Sequence, residues 1–215
     1  MKTTITASQQ SEKTRKLVYL SFLSAIILVM QFTPLGYIPI PGFNPTTLHI
    51  PVIIGAILMG PAEGAFLGFV FGITSIIQAT LILPLTAFLF SPFVPLGSYK
   101  SVIIAIVPRV LIGIVAGYSF RFISRFDKSG VIASVIAAIL GSLTNTVLVL
   151  GGAYMLFRDL LAKNVFNVSA SALLTALLAI VATSGIAEII AAAVISTGVV
   201  SAMFAITKYS KNKKI

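Results

Sequence analysis

Three side chains could do chemistry inside otherwise apolar stretches of this sequence: Arg109, Asn145 and Glu188. Arg109 lies in residues 101–117, a run long and apolar enough to enter a bilayer. A guanidinium at the centre of a span costs about 2.5–3.5 kcal/mol on insertion scales. Such a group faces a polar interior or a cavity, pairs with another helix, or snorkels to the interface. Arginine can grip a carboxylate through two parallel N–H bonds and stays charged when buried. Asn145, flanked by Thr144 and Thr146, adds a carboxamide that both donates and accepts. The two suit a small ligand with one carboxylate and several hydrogen-bonding groups. Glu188 supports a competing reading, in which Arg109 and Glu188 form an internal ion pair. Thr74 and Gln78 on the third helix, Asn44 in the first long loop and Tyr99 in the second complete the candidate set for substrate binding.

Other chemistries lack their residues. No Gly-x-x-x-x-Gly-Lys-Ser/Thr motif occurs, so no phosphate-binding loop for ATP is visible. The chain has no cysteine and one histidine, which removes disulfides, thiolate sites and multi-histidine metal sites, and no cofactor is expected. His49 begins the second helix without a marked partner and reads as an interfacial histidine, so a membrane hydrolase ranks low. Asn167-Val-Ser169 matches a glycosylation sequon, a pattern that arises easily by chance.

The elements that must hold these residues are membrane helices. Of the 215 residues, 58% are hydrophobic and 9% charged, and several apolar stretches approach the roughly 20 residues that cross a bilayer. The fold class is therefore all-α, a polytopic membrane protein. Residues 1–16 read as a solvated N-terminal arm, 17–207 as a membrane domain of six helices, and 208–215 as a basic tail. The apolar run after the arm reads as a retained helix rather than a signal peptide.

Helices are expected near 17–32, 48–59, 62–81, 101–122 and 130–157, the second being short for a crossing. Two proline-rich but apolar loops, 33–46 and 84–100, join them and are expected to pack over the bundle. Pro108 removes an amide donor and frees the carbonyl of Ile104, one residue before Arg109. The last apolar stretch, 170–206, is too long for one ordinary span. It is either two crossings or an interfacial helix that feeds one span after Ser184-Gly185. Charge decides for six spans with both termini cytoplasmic. Lys2, Lys13, Arg15, Lys16, Arg121, Arg125, Lys128, Lys208, Lys211, Lys213 and Lys214 then lie inside, against Lys100, Arg158 and Lys163 outside. The net charge of +10 is thus mainly a topology signal, with no motif for nucleic acid. With a helix start near 101, Arg109 lies roughly 12 Å below the outer surface, and Asn145, counted back from 157, lies roughly 18 Å deep. Both can face one outward cavity.

Small residues recur every four positions: Gly60, Gly64, Gly68 and Gly72 on the third helix, Gly113 and Gly117 on the fourth, and Ala133, Ala137 and Gly141 before Asn145 on the fifth. This spacing lets neighbouring backbones approach closely. Ser21 and Ala25 form a similar pair on the first helix, which could seat a helix of this chain or of another protein.

The segments at 21–25, 48–61, 63–72 and 107–113 resemble the substrate-binding S components of energy-coupling factor (ECF) vitamin transporters, particularly the pantothenate-type members. The resemblance covers nearly the whole chain. It implies a protein that binds a vitamin from outside, then docks on a module of one EcfT-type membrane subunit and two EcfA-type ATPases, toppling to release substrate inside. ATP hydrolysis would belong to those partners, so the chain itself would not be an enzyme. The family's Ala-x-x-x-Ala docking signature maps onto Ser21 and Ala25, with serine replacing the first alanine. The substrate-holding arginine and asparagine map onto Arg109 and Asn145. The first loop, with Tyr37, Ile38, Ile40 and Phe43, is the expected gate. Pantothenate fits a site with one cation and several hydrogen-bonding groups. The alternatives are a pyridoxine, hydroxymethylpyrimidine or folate ligand, or a self-sufficient transporter coupled to protons at Glu188.

Overall fold

The computed structural model describes residues 7–36, 46–127 and 129–212. The helices are α1 (Ala7–Gln31), α2 (His49–Met59), α3 (Pro61–Ile82), α4 (Tyr99–Ile123), α5 (Val131–Leu161), α6 (Leu173–Ile180) and α7 (Ile186–Asn212). Among the described residues, five helical stretches are long and apolar enough to cross a membrane: Glu12–Gln31, Pro61–Ile82, Tyr99–Ile123, Val131–Phe166 and Leu173–Ile206. The short α2 makes a sixth apolar element. Large apolar side chains on the outer surface, Phe22, Phe69 and Val194 among them, are what a lipid-facing wall requires.

Several helix ends have local causes. Gly60 turns the chain from α2 into α3 at φ 125°, a conformation open to glycine, and Pro61 starts α3 where its missing amide is not needed. Leu83, left-handed at φ 52°, ends α3 just before Pro84. Ser98 and Ser101 form a reciprocal capping box at the start of α4. Asp127 accepts the Ala133 amide at 2.9 Å near the start of α5. Helix α1 starts at Ala7, so residues 7–16 of the expected arm are helical, and Lys16 pairs with Glu63 at 2.7 Å. The last apolar stretch is helical from Leu173 onward, with a wide π-helical turn at Val181–Gly185 joining α6 to α7. The expected break at Ser184-Gly185 is therefore a loosened turn within a helical run.

Lys16 of α1 pairs with Glu63 at the start of α3, Arg121 near the end of α4 lies against Gly60, and Phe120 meets Phe204 of α7, so the N-terminal part of α1 and the C-terminal part of α7 lie at one end of the bundle. Helix α2 occupies the centre, against α1, α3, α4, α5 and α7. All its residues except Leu58 are buried. Enclosed in this way, it has no lipid contact to match and can be short: 11 residues rise roughly 16 Å. This placement also corrects the reading of His49 as interfacial. The first turn of α2 lies inside the bundle, and His49 is 0% exposed.

The glycine stripes set the register of α3 on α4. Cβ atoms added at Gly64, Gly68 and Gly72 would strike Gly113, the Arg109 carbonyl and the Ala105 carbonyl in turn, and one at Gly117 would strike Pro61. Each step of four residues along α3 is matched by four in reverse along α4. Gly141 of α5 faces Ile53 of α2 in the same close manner. The backbone behind Arg109 is thus fixed by the missing side chain of Gly68. Replacing Gly68 by Ala is expected to lower thermal stability in detergent by about 1–3 kcal/mol, since α4 must move away. Gly151→Ala, where an added Cβ meets nothing within 4 Å, is expected to change little. Equal effects of the two substitutions would contradict this packing.

Candidate substrate-binding site

Arg109 is 6% exposed, which demands an explanation for a permanent charge. Pro108 supplies part of it. The helical partner of the Ile104 carbonyl would be the amide of residue 108, which proline lacks. In its place Nη1 of Arg109 donates to Ile104 O at 2.9 Å. The side chain turns back along its own helix, as long helical side chains do. Phe71 of α3 and Phe90 of the 83–98 connection flank the guanidinium carbon, with ring centroids at 5.1 and 4.9 Å. Cation–π contact of this kind contributes about 0.5–2 kcal/mol per ring. The charge is stabilised and aimed at once.

Arg109 lines a cavity of about 640 Å³ near the end of the bundle away from the termini. Gln31 of α1, Phe71, Ser75 and Gln78 of α3, and Pro84, Thr86 and Phe90 of the 83–98 connection form most of its wall, with Thr46 and Leu48 before α2. This size falls within the roughly 300–1,000 Å³ typical of small-molecule sites. The second apolar loop is packed over the bundle, as expected. Phe88 and Leu89 are buried, Phe88 meets Phe157 edge-on at 5.7 Å, and Ser101 Oγ donates to Phe88 O at 2.6 Å.

The other candidates divide. Gln78 lines the cavity with Arg109. Thr74 is buried, but its hydroxyl donates to Phe71 O at 2.9 Å on its own helix, and it does not line the cavity. Tyr99, at the start of α4, is 73% exposed and outside the cavity wall. Asn145 is buried in α5 without contributing to that wall, and its Oδ1 has no hydrogen-bond partner among the described residues. Asn44, Tyr37, Ile38, Ile40 and Phe43 lie outside the described residues. Ser21 and Ala25 are exposed together on the surface of α1.

Glu188 does not pair with Arg109; the ion pair among the described residues is Lys16–Glu63. Its Oε1 accepts the Thr46 amide at 2.7 Å, and its Oε2 accepts the Thr146 hydroxyl at 3.5 Å. Thr46 forms part of the cavity wall, so Glu188 fixes that wall from behind. The Thr47 amide, bonded to Gly36 O at 2.9 Å, holds the other side of the same stem.

Sequence reasoning missed His49 as a member of this polar interior. Its two ring nitrogens are buried without hydrogen-bond partners among the described residues, and it lies within electrostatic reach of Arg109. The contact between Ile53 and Gly141, one turn along each of two antiparallel helices, sets His49 near the level of Asn145. The available signal was a histidine four residues before Ile53 on a helix too short to reach both interfaces. Glu188→Ala is expected to speed amide exchange at Thr46 and to destabilise the fold by about 1–3 kcal/mol, because a buried donor loses its acceptor. Unchanged exchange across residues 46–50 would contradict this role.

Residues 15–200 match the family model described as the ECF transporter, substrate-specific component. The chain is 38% identical over 189 residues to the pantothenic acid transporter PanT of Lactococcus lactis subsp. cremoris (strain MG1363), covering 85% of this chain and 89% of that protein. It is 36% identical over 118 residues to the pantothenate transporter PanT of Leuconostoc mesenteroides subsp. mesenteroides, covering 52% and 53%. These relationships, with the five long apolar helices, make it a multi-pass cell-membrane protein. The chain belongs to the family of substrate-specific components of ECF transporters.

Proposed function

We propose that this protein captures pantothenate from outside the cell and hands it to an ATP-driven import module. The observation that carries this reading is the buried Arg109 guanidinium, braced by Ile104 O, Phe71 and Phe90 and lining a ligand-sized cavity. A fixed cation in an apolar wall selects a carboxylate, and the relatives' names supply the carboxylate vitamin. In this reading the carboxylate of pantothenate sits on Arg109, where exclusion of water strengthens the attraction. Its amide and hydroxyl groups meet polar groups of the cavity wall, Gln78 among them.

Both termini lie in the cytoplasm, as the distribution of lysine and arginine favours. The loaded protein docks on an EcfT-type subunit through the Ser21–Ala25 face of α1, and two EcfA-type ATPases drive the toppling that releases substrate inside. The exposure of Ser21 and Ala25 supports a docking role, because small side chains facing outward let a second helix approach. Glu188, engaged with Thr46 and Thr146, suits a structural role better than that of a proton carrier.

Equilibrium binding of a vitamin panel to the purified protein tests the substrate. Pantothenate is expected to bind at micromolar concentration or below, and thiamine, riboflavin and pyridoxine, which lack a carboxylate, are expected not to compete. Absence of pantothenate binding in that range, with another vitamin bound, would overturn the substrate assignment and leave the family unchanged.

A further inference from the structure

Gln31 closes the cavity wall on the side of α1. It is 3% exposed, it lines the same cavity as Arg109, and its buried amide oxygen has no hydrogen-bond partner among the described residues. A buried polar atom left in this state costs about 1–3 kcal/mol. An alanine or leucine would end the helix as well. Two other polar groups of the wall are engaged: Ser75 Oγ donates to Phe71 O at 2.9 Å, and the Thr46 amide donates to Glu188. Either orientation of the Gln31 carboxamide presents a hydrogen-bonding atom to the cavity.

Gln31 and the cation reach the cavity from different helices, α1 and α4. Leu23 of α1 and Leu67 of α3 meet at Gly55, and the next residue, Gly68, backs onto Arg109. Gln31 is eight residues beyond Leu23, so its backbone stands roughly 12 Å further along the bundle at 1.5 Å per residue. The Arg109 side chain reaches back five residues to Ile104 O, roughly 7 Å in the same direction, so its guanidinium and Gln31 stand at neighbouring levels of one cavity. A ligand with its carboxylate on Arg109, beside the Phe71 and Phe90 rings, can therefore present a second polar group to Gln31 from the same position.

We propose that Gln31 is a specificity-determining residue that hydrogen-bonds a hydroxyl group of the ligand whose carboxylate sits on Arg109. This assignment rests on the proposed substrate. It separates pantothenate from simpler N-acyl amino acids, which would satisfy Arg109 but leave Gln31 unmet.

The test compares pantothenate with an N-acyl-β-alanine that keeps the amide and carboxylate but lacks both hydroxyls. Equilibrium binding of each is measured on the purified wild-type protein and on Gln31→Met, a near-isosteric change that removes the hydrogen bond. The wild-type preference for pantothenate is expected to fall about 3–10-fold in Gln31→Met, the equivalent of one neutral hydrogen bond, with the analogue's affinity unchanged. If Gln31→Met does not fold, Gln31→Leu is measured in the same way. An unchanged preference, or equal weakening of both ligands, would overturn the assignment while leaving the proposed substrate in place. A wild-type protein that binds neither ligand would overturn the substrate reading, and this assignment with it.

Discussion

The carbonyl of Ile104, deprived of its amide by Pro108, is the point on which the site depends. An unpaired carbonyl inside a bilayer is costly, and so is an isolated cation. Placing proline and arginine at adjacent positions lets each deficiency offset the other. The guanidinium completes the helix and is held in one place by doing so. Phe71 and Phe90 then take up its faces, and Gly68 presses the α4 backbone against α3. A charge that could otherwise snorkel to the interface becomes a fixed part of a cavity wall.

The short central helix explains how a chain of this size makes room for that wall. Because α2 is surrounded by other helices, its first turn can sit beneath the end of the bundle, and polar side chains gather around it. His49, Asn145, Glu188 and Gln31 come from four different helices, α2, α5, α7 and α1. Glu188 spends its carboxylate on the Thr46 amide and the Thr146 hydroxyl, which ties α7 and α5 to the stem that precedes α2. The interior thus separates a structural carboxylate from a cavity-lining cation, even though both charges share one core.

Much of this was readable from the chain itself. Apolar run lengths gave the helices, and the four-residue glycine spacing on the third and fourth helices gave a stripe that the structure places face to face. Pro108 named the carbonyl that Arg109 satisfies. What could not be read was orientation around each helix axis. Thr74 and Gln78 are four residues apart on α3, yet one hydroxyl folds back on its own backbone while the other side chain reaches the cavity. Tyr99 looked like part of a loop cap, but the Ser98–Ser101 capping box draws it into the first turn of α4 with its ring facing out. His49 was misread because a histidine at a helix start is usually interfacial, and only the surrounding helices make α2 central. The competing ion pair between Arg109 and Glu188 was plausible from depth alone and failed because Thr46, distant in sequence, takes the carboxylate.

The central claim is that Arg109 receives the ligand's carboxylate. Its most direct test is a thermodynamic cycle with pantothenate and panthenol, in which an alcohol replaces the carboxylate, on wild-type protein and on Arg109→Ala. A coupling of about 2–5 kcal/mol between the arginine and the carboxylate is the predicted result, the scale of losing one member of a desolvated charged pair. Panthenol and pantothenate weakened equally by the substitution would contradict the account and return Arg109 to a purely structural role.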